Sequence, residues 1–171
     1  PLRREAWRPA AGPARRELLG WLVLHPAGDE DLAIIRQAFE VDPWQAAFAT
    51  EKRLRSAPEP VHALILDLFC HPEPGVRRAA VMACEDWFGE REDKPPLAFQ
   101  EAFLAVAVGD PDASVADMAF RSVDDMSESM GPGIGQALAS IREPARFAGM
   151  LHAIRRKDDA GVLPGLEQAA F

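Results

Sequence analysis

Prolines and glycines recur every dozen or so residues, and between them apolar side chains return at three- and four-residue spacing. Strand-like alternation is nearly absent, so the pattern predicts an all-α chain. The predicted helices run over 14–24, 30–40, 44–55, 60–70, 75–90, 96–108, 113–127, 134–142, 144–156 and 160–170. Asp42-Pro43 ahead of Trp44 supplies an N-cap followed by a first-turn proline, and Glu59-Pro60 ahead of Val61 is a weaker version. Asp112 or Ser114 is placed to cap the helix that runs into VADMAF.

The stretch HPEPGVRRAAVMACEDWF, from His71, is echoed by DPDASVADMAFRSVDDM, from Asp110, at an offset of 39 residues. Pro72 pairs with Pro111, Glu73 with Asp112, Val76 with Val115, Ala80 with Ala119, Asp86 with Asp125 and Trp87 with Met126. Upstream, Ile65 pairs with Leu104 and Phe69 with Val108. The unit is a helix, a proline-bearing turn and a second helix. Looser copies surround LVLHPAGDEDLAIIRQAF and IRRKDDAGVLPGLEQAAF. A period near 40 built of paired helices is the signature of a solenoid, whose units bury their apolar faces only by stacking.

PEPGVRRAA resembles the HEAT repeat, whose inter-helix turn and second helix read D-x-x-P-x-VR-x-x-A. Pro74, Val76, Arg77 and Ala80 fit, with His71 where the aspartate is usual. Asp110 fits that aspartate in the next copy, whereas Ala113 and Ala116 depart from the proline and arginine. The clearest repeats are 60–90 and 96–127; the extra helix 44–55 breaks a strict two-helix rhythm. The resemblance implies one domain over 1–171, a right-handed α-α superhelix of about four helix pairs. It implies little about function, because this architecture serves scaffolds, inhibitors, lyase-type chaperones and DNA glycosylases.

Composition adds a bias in charge. The net charge is −8, yet residues 1–84 balance at 11 acidic and 11 basic side chains. Residues 85–128 hold 12 acidic against 3 basic, and 129–171 hold 4 against 5. Helix 75–90 has an apolar stripe of Val76, Ala79, Ala80, Ala83, Cys84 and Trp87, leaving Arg77, Arg78, Glu85 and Asp86 outside. On helix 113–127 the stripe is Val115, Met118, Ala119, Ser122, Val123 and Met126, leaving Asp117, Arg121, Asp124 and Asp125 outside. Stacking would set the two acidic pairs on helices about 10 Å apart. In the resembled family the second helices line the concave surface. The expectation is an acidic ridge there, with Phe120 exposed beside it. It reads either as solubilising charge or as a docking face for a basic partner.

Few residues suggest catalysis. His25, His62, His71 and His152 are scattered, Cys70-His71 lacks two further metal ligands, and GPGIG follows no strand. Cys70 and Cys84 both fall on predicted apolar faces as buried free thiols, which suits a reducing cytosol. Nucleic-acid binding calls for a basic concave face, the reverse of the charge found. The basic cluster is N-terminal: Arg3, Arg4, Arg8, Arg15 and Arg16. No apolar run reaches the roughly 18 residues of a membrane span. The start, PLRREAWRPA, has neither an initiator Met nor an apolar stretch after its arginines, and reads as a processed or trimmed chain without a signal peptide. Sixteen arginines against three lysines, many alanines and no tyrosine suggest a GC-rich bacterial genome.

The residues therefore point to a cytoplasmic, non-catalytic protein that binds another protein, one with a basic surface. It would need no cofactor or metal and would touch neither nucleic acid nor membrane. The contact residues expected are Glu85, Asp86, Asp117, Phe120, Arg121, Asp124 and Asp125. Small acidic repeat proteins of this kind resemble some immunity proteins; a fragment of a larger scaffold is another version. The rival is an enzyme on the same fold, glycosylase-like or lyase-like. An aromatic-lined pocket holding a carboxylate would favour it, and burial of Trp21, Trp44 and Trp87 would oppose it.

Overall fold

A computed structural model describes residues 12–89 and 95–122. The helices expected over 134–142, 144–156 and 160–170, and the end of 113–127, lie outside the described residues. The described residues form seven α-helices and one 3-10 turn, with no strand among them: α1 (Gly12–Leu24), α2 (Asp29–Val41), α3 (Pro43–Glu51), the 3-10 turn (Leu54–Ser56), α4 (Glu59–Leu68), α5 (Pro74–Gly89), α6 (Leu97–Gly109) and α7 (Ala113–Ser122). The chain divides into two compact units, Pro1–Trp87 and Phe88–Phe171.

In the first unit α1, α2 and α3 pack on one another, α4 packs on α2, and the 3-10 turn packs on α1. The spacing explains it: Ile34, Ile35, Ala38 and Phe39 on α2, and Val61, Leu64, Ile65 and Leu68 on α4, form buried stripes at helical period. Asp42 caps α3, accepting from the Gln45 amide at 3.4 Å, with Pro43 in the first turn as expected. The expected Glu59 cap is not made. Pro58 holds that position without a side-chain bond, and Glu59 lies inside the first turn, where its charge suits the helix dipole.

Helix α3 also ends earlier than the sequence suggests. The amide of Arg53 turns back to the Thr50 carbonyl at 2.8 Å, and the 3-10 turn then drives Leu54 fully into the core. The Arg53 guanidinium donates to the Ala49 carbonyl at 3.0 Å and pairs with Glu17 of α1 at 3.2 Å. It crosses α1 at Gly20, where a Cβ would come within 2.5 Å of it.

The stripe expected on α5 is buried throughout, and Val81 and Met82 are buried with it. Trp87 meets the His62 ring of α4 at 5.2 Å. Arg77, expected outside, is buried instead: its Nη1 donates to the carbonyls of His71 at 2.8 Å and Pro72 at 2.9 Å. An arginine three residues into a helix can reach back over the turn that precedes it, and the buried stem adds apolar contact.

In the second unit α6 packs on α7, burying Phe99, Phe103, Leu104 and Ala107 with Val115, Ala116 and Ala119. Asp112 caps α7, accepting from the amides of Ser114 at 2.9 Å and Val115 at 3.2 Å.

The two proline turns 39 residues apart share a local design. The Glu73 amide donates to His71 Nδ1 at 3.1 Å, and the Asp112 amide donates to Asp110 Oδ1 at 2.8 Å. The Val76 amide then bonds the Glu73 carbonyl and the Val115 amide the Asp112 carbonyl, both at 3.1 Å. His71 thus does the work of the aspartate at that position, its ring nitrogen accepting where a carboxylate otherwise would. His71 Nε2 faces Glu40 of α2 at 3.8 Å. Cys84 is buried as expected, but Cys70, one residue beyond the C-cap of α4, is exposed.

Candidate functional site

Glu85 and Asp86 stand on the outer side of α5 near its end, Asp86 exposed and Glu85 half-buried. They are not alone. Glu51, the last residue of α3, comes close enough that the charges of both act on its carboxyl. Burial is the main cause that holds the Glu51 carboxyl above the usual range; the charges of Asp86 and Glu85 add to it, while Lys52 acts against it. Three carboxyls from two helices, far apart in sequence, therefore share one patch of the first unit.

Two aromatic rings occupy the neighbouring surface. Trp44 and Phe48 on α3 are 49% and 50% exposed, and Val41, just before the helix, is 66% exposed. At 3.6 residues per turn, Trp44, Phe48 and Glu51 fall within about 60° around the α3 axis. The strip from Trp44 to Glu51 is about 10 Å long, at 1.5 Å per residue. Ala46, Ala47, Ala49 and Thr50 take the opposite, buried side of the same helix.

The other expected contact residues belong to the second unit. Asp117 and Arg121 of α7 are exposed, as the helical period requires. Phe120 is half-buried rather than exposed, because it follows the buried Ala119 on a helix whose inner face is already wide at Val115 and Ala116. Asp124 and Asp125 lie outside the described residues.

Sequence reasoning missed Glu51, Trp44 and Phe48. Glu51 belonged to a stretch of balanced charge, and nothing in its spacing ties it to residues 34 and 35 positions later; only the fold does. Trp44 and Phe48, one turn apart, carried a readable signal, since small residues between them already supply an inner face. Of the three tryptophans whose burial would oppose an enzyme, only Trp87 is buried; Trp21 is 41% exposed.

The histidines have local partners. His62 Nε2 lies 2.7 Å from the Leu54 carbonyl, and the His25 ring sits 5.4 Å from that of Trp21. Burial pushes the Cys84 thiol above its ordinary range, with the Glu85 charge adding to it. A cavity of about 160 Å³ among α1, α2 and α3 is lined by Arg15, Arg16, Asp42 and Gln45 over Leu19 and Ala46. Its lining contains no aromatic ring, and its carboxylate, Asp42, is engaged as the cap of α3. Among the described residues no cluster of His, Cys, Asp or Glu could hold a metal ion. Among them also, no helix is long and apolar enough to cross a membrane. Compared with models of protein families, with curated proteins and with solved structures, the chain matches none.

Proposed function

We propose that this protein is a non-catalytic interaction module, a HEAT-like α-solenoid that binds a partner protein with a basic surface. The observation that carries this reading is the meeting of Glu51 with Glu85 and Asp86 at an exposed edge of the first unit. Like charges held together raise the local negative potential, which steers a basic partner and is relieved when a cationic side chain arrives. Asp117 and Arg121, exposed on α7 of the second unit, are further contact residues in this reading, as are Asp124 and Asp125. A bacterial, cytoplasmic immunity-type protein that occludes a basic toxin is one form of this reading; a scaffold fragment is another.

The test is a pull-down from the native host with identification by mass spectrometry, repeated with charge-reversed variants. Glu85→Lys with Asp86→Lys, and separately Asp124→Lys with Asp125→Lys, should weaken capture and flatten its salt dependence. Capture unchanged in both variants would overturn the reading.

A further inference from the structure

The cavity of about 160 Å³ among α1, α2 and α3 has a lining graded by burial. Leu19 of α1, Ala38 of α2 and Ala46 of α3 are buried and form an apolar floor, where alanine at two of the three positions leaves space that larger side chains would fill. Arg16, Gln37, Asp42 and Gln45 line the same cavity and are exposed, so they form its rim. Arg16 stands three residues before Leu19, the spacing that puts two side chains on one side of a helix. A guanidinium and the apolar floor therefore share one face of α1. Arg16 also belongs to the N-terminal basic cluster, to which an acidic contact surface gives no role.

We propose that this cavity binds a short-chain aliphatic monocarboxylate, its carboxylate on the Arg16 guanidinium and its alkyl chain over Leu19, Ala38 and Ala46. The proposal stands whether or not the acidic edge binds a protein. Size, polarity and charge each narrow the ligand. A cavity of about 150 Å³ admits a ring of six carbons, so about six or seven non-hydrogen atoms fit here, as in butyrate or valerate. The floor selects an alkyl chain, because every methylene moved onto it from water favours binding. The rim selects a carboxylate, which takes a guanidinium through two parallel hydrogen bonds. Arg15, half-buried in the same lining, has a partner of its own, so Arg16 is the anchor. The side-chain amides of Gln37 and Gln45 are further donors on the rim. Asp42 limits the ligand to one negative charge. Its carboxylate, which accepts from the Gln45 amide at 3.4 Å, stands on the same rim and disfavours a dianion such as phosphate.

The experiment titrates the full chain with valerate, with its neutral isostere valeramide and with inorganic phosphate, following the protein methyl groups by NMR. Valerate should shift the methyl signals of Leu19, Ala38 and Ala46 and half-saturate them at about 1 mM, the order expected of a seven-atom ligand. Valeramide should bind at least tenfold more weakly, and phosphate should leave those signals in place. Arg16→Met keeps the stem and removes the charge, so it should weaken valerate binding at least tenfold with the unfolding midpoint unchanged. Ala46→Leu should fill the floor and abolish binding; if that variant fails to fold, Arg16→Met at its exposed position decides alone. Absence of shifts with valerate up to about 10 mM, tenfold above the expected midpoint, would overturn the proposal. So would equal binding of valerate and valeramide, phosphate binding as tightly as valerate, shifts confined to methyl groups elsewhere, or parent-like binding of valerate by Arg16→Met.

Discussion

Arg77 offers the most direct test of how the turn between α4 and α5 is held together. Its guanidinium closes the turn that joins α4 to α5 by donating to the His71 and Pro72 carbonyls. Methionine at this position keeps most of the buried stem and removes only the donors, so Arg77→Met isolates the polar contribution. A hydrogen bond from a charged donor contributes about 1.5–3 kcal/mol net. Pro72 is exposed and His71 half-buried, so water can rehydrate both carbonyls, and the lower figure applies to each. The expected loss is then about 2–3 kcal/mol, with Arg77→Lys recovering part of it. All four tryptophans fall within residues 1–87, so tryptophan emission follows the first unit alone during urea unfolding. With a slope of about 2 kcal/mol per molar urea, the midpoint should fall by about 1–1.5 M. A fall of less than about 0.3 M would show that water satisfies these carbonyls unaided and that Arg77 does not clamp the turn.

Glu51 sets a pH dependence. Its folded-state carboxyl titrates above the unfolded one, so its protonation favours the fold below the unfolded value, and this stability is lost as pH rises through the folded value. Glu51→Gln should therefore leave acid stability unchanged and raise neutral stability by about 0.5 kcal/mol, the scale of a like-charge pair on helices, read from melts at several pH values. Gly20→Ala should stabilise by about 1 kcal/mol only when Arg53 is also changed to alanine, since in the parent the new Cβ displaces the Arg53 guanidinium; a double-mutant cycle measures that coupling. A thiol reagent should modify Cys70 rapidly in the folded chain and reach Cys84 only on unfolding, which peptide mass mapping distinguishes.

What the sequence revealed, and what it hid, divides along contact distance. The helix-forming stripes of α2, α4 and α5 were legible because each needs only neighbours three and four residues away. So was the Asp42 cap, which reaches three residues. Arg77 was misplaced because helical period treats an arginine as surface, while its long side chain satisfies carbonyls that the period does not describe. His71 looked like a flaw in the repeat, since an imidazole and a carboxylate share no charge; as acceptors for an amide two residues on they are equivalent. The candidate site shows the same division more sharply. Glu85 and Asp86 were visible as an exposed pair, but Glu51 stands 34 and 35 residues before them, beyond any helical spacing.

On the proposed function, the crowding of carboxyls at that edge serves binding rather than solubility alone. Charge that serves only to keep a surface wet is best dispersed, because separation lowers self-repulsion without loss of hydration. Here the fold does the opposite: it brings Glu51, half-buried, to Asp86 and Glu85 and leaves two aromatic rings uncovered beside them. Carboxylates held together disfavour one another, and a cationic partner would relieve that. Substitutions at this edge should accordingly separate stability from binding. Glu51→Gln, which relieves the repulsion covalently, should make the fold more stable at neutral pH and capture of a basic partner weaker. If it stabilised the fold and left capture intact, the crowding of carboxyls would contribute nothing to recognition.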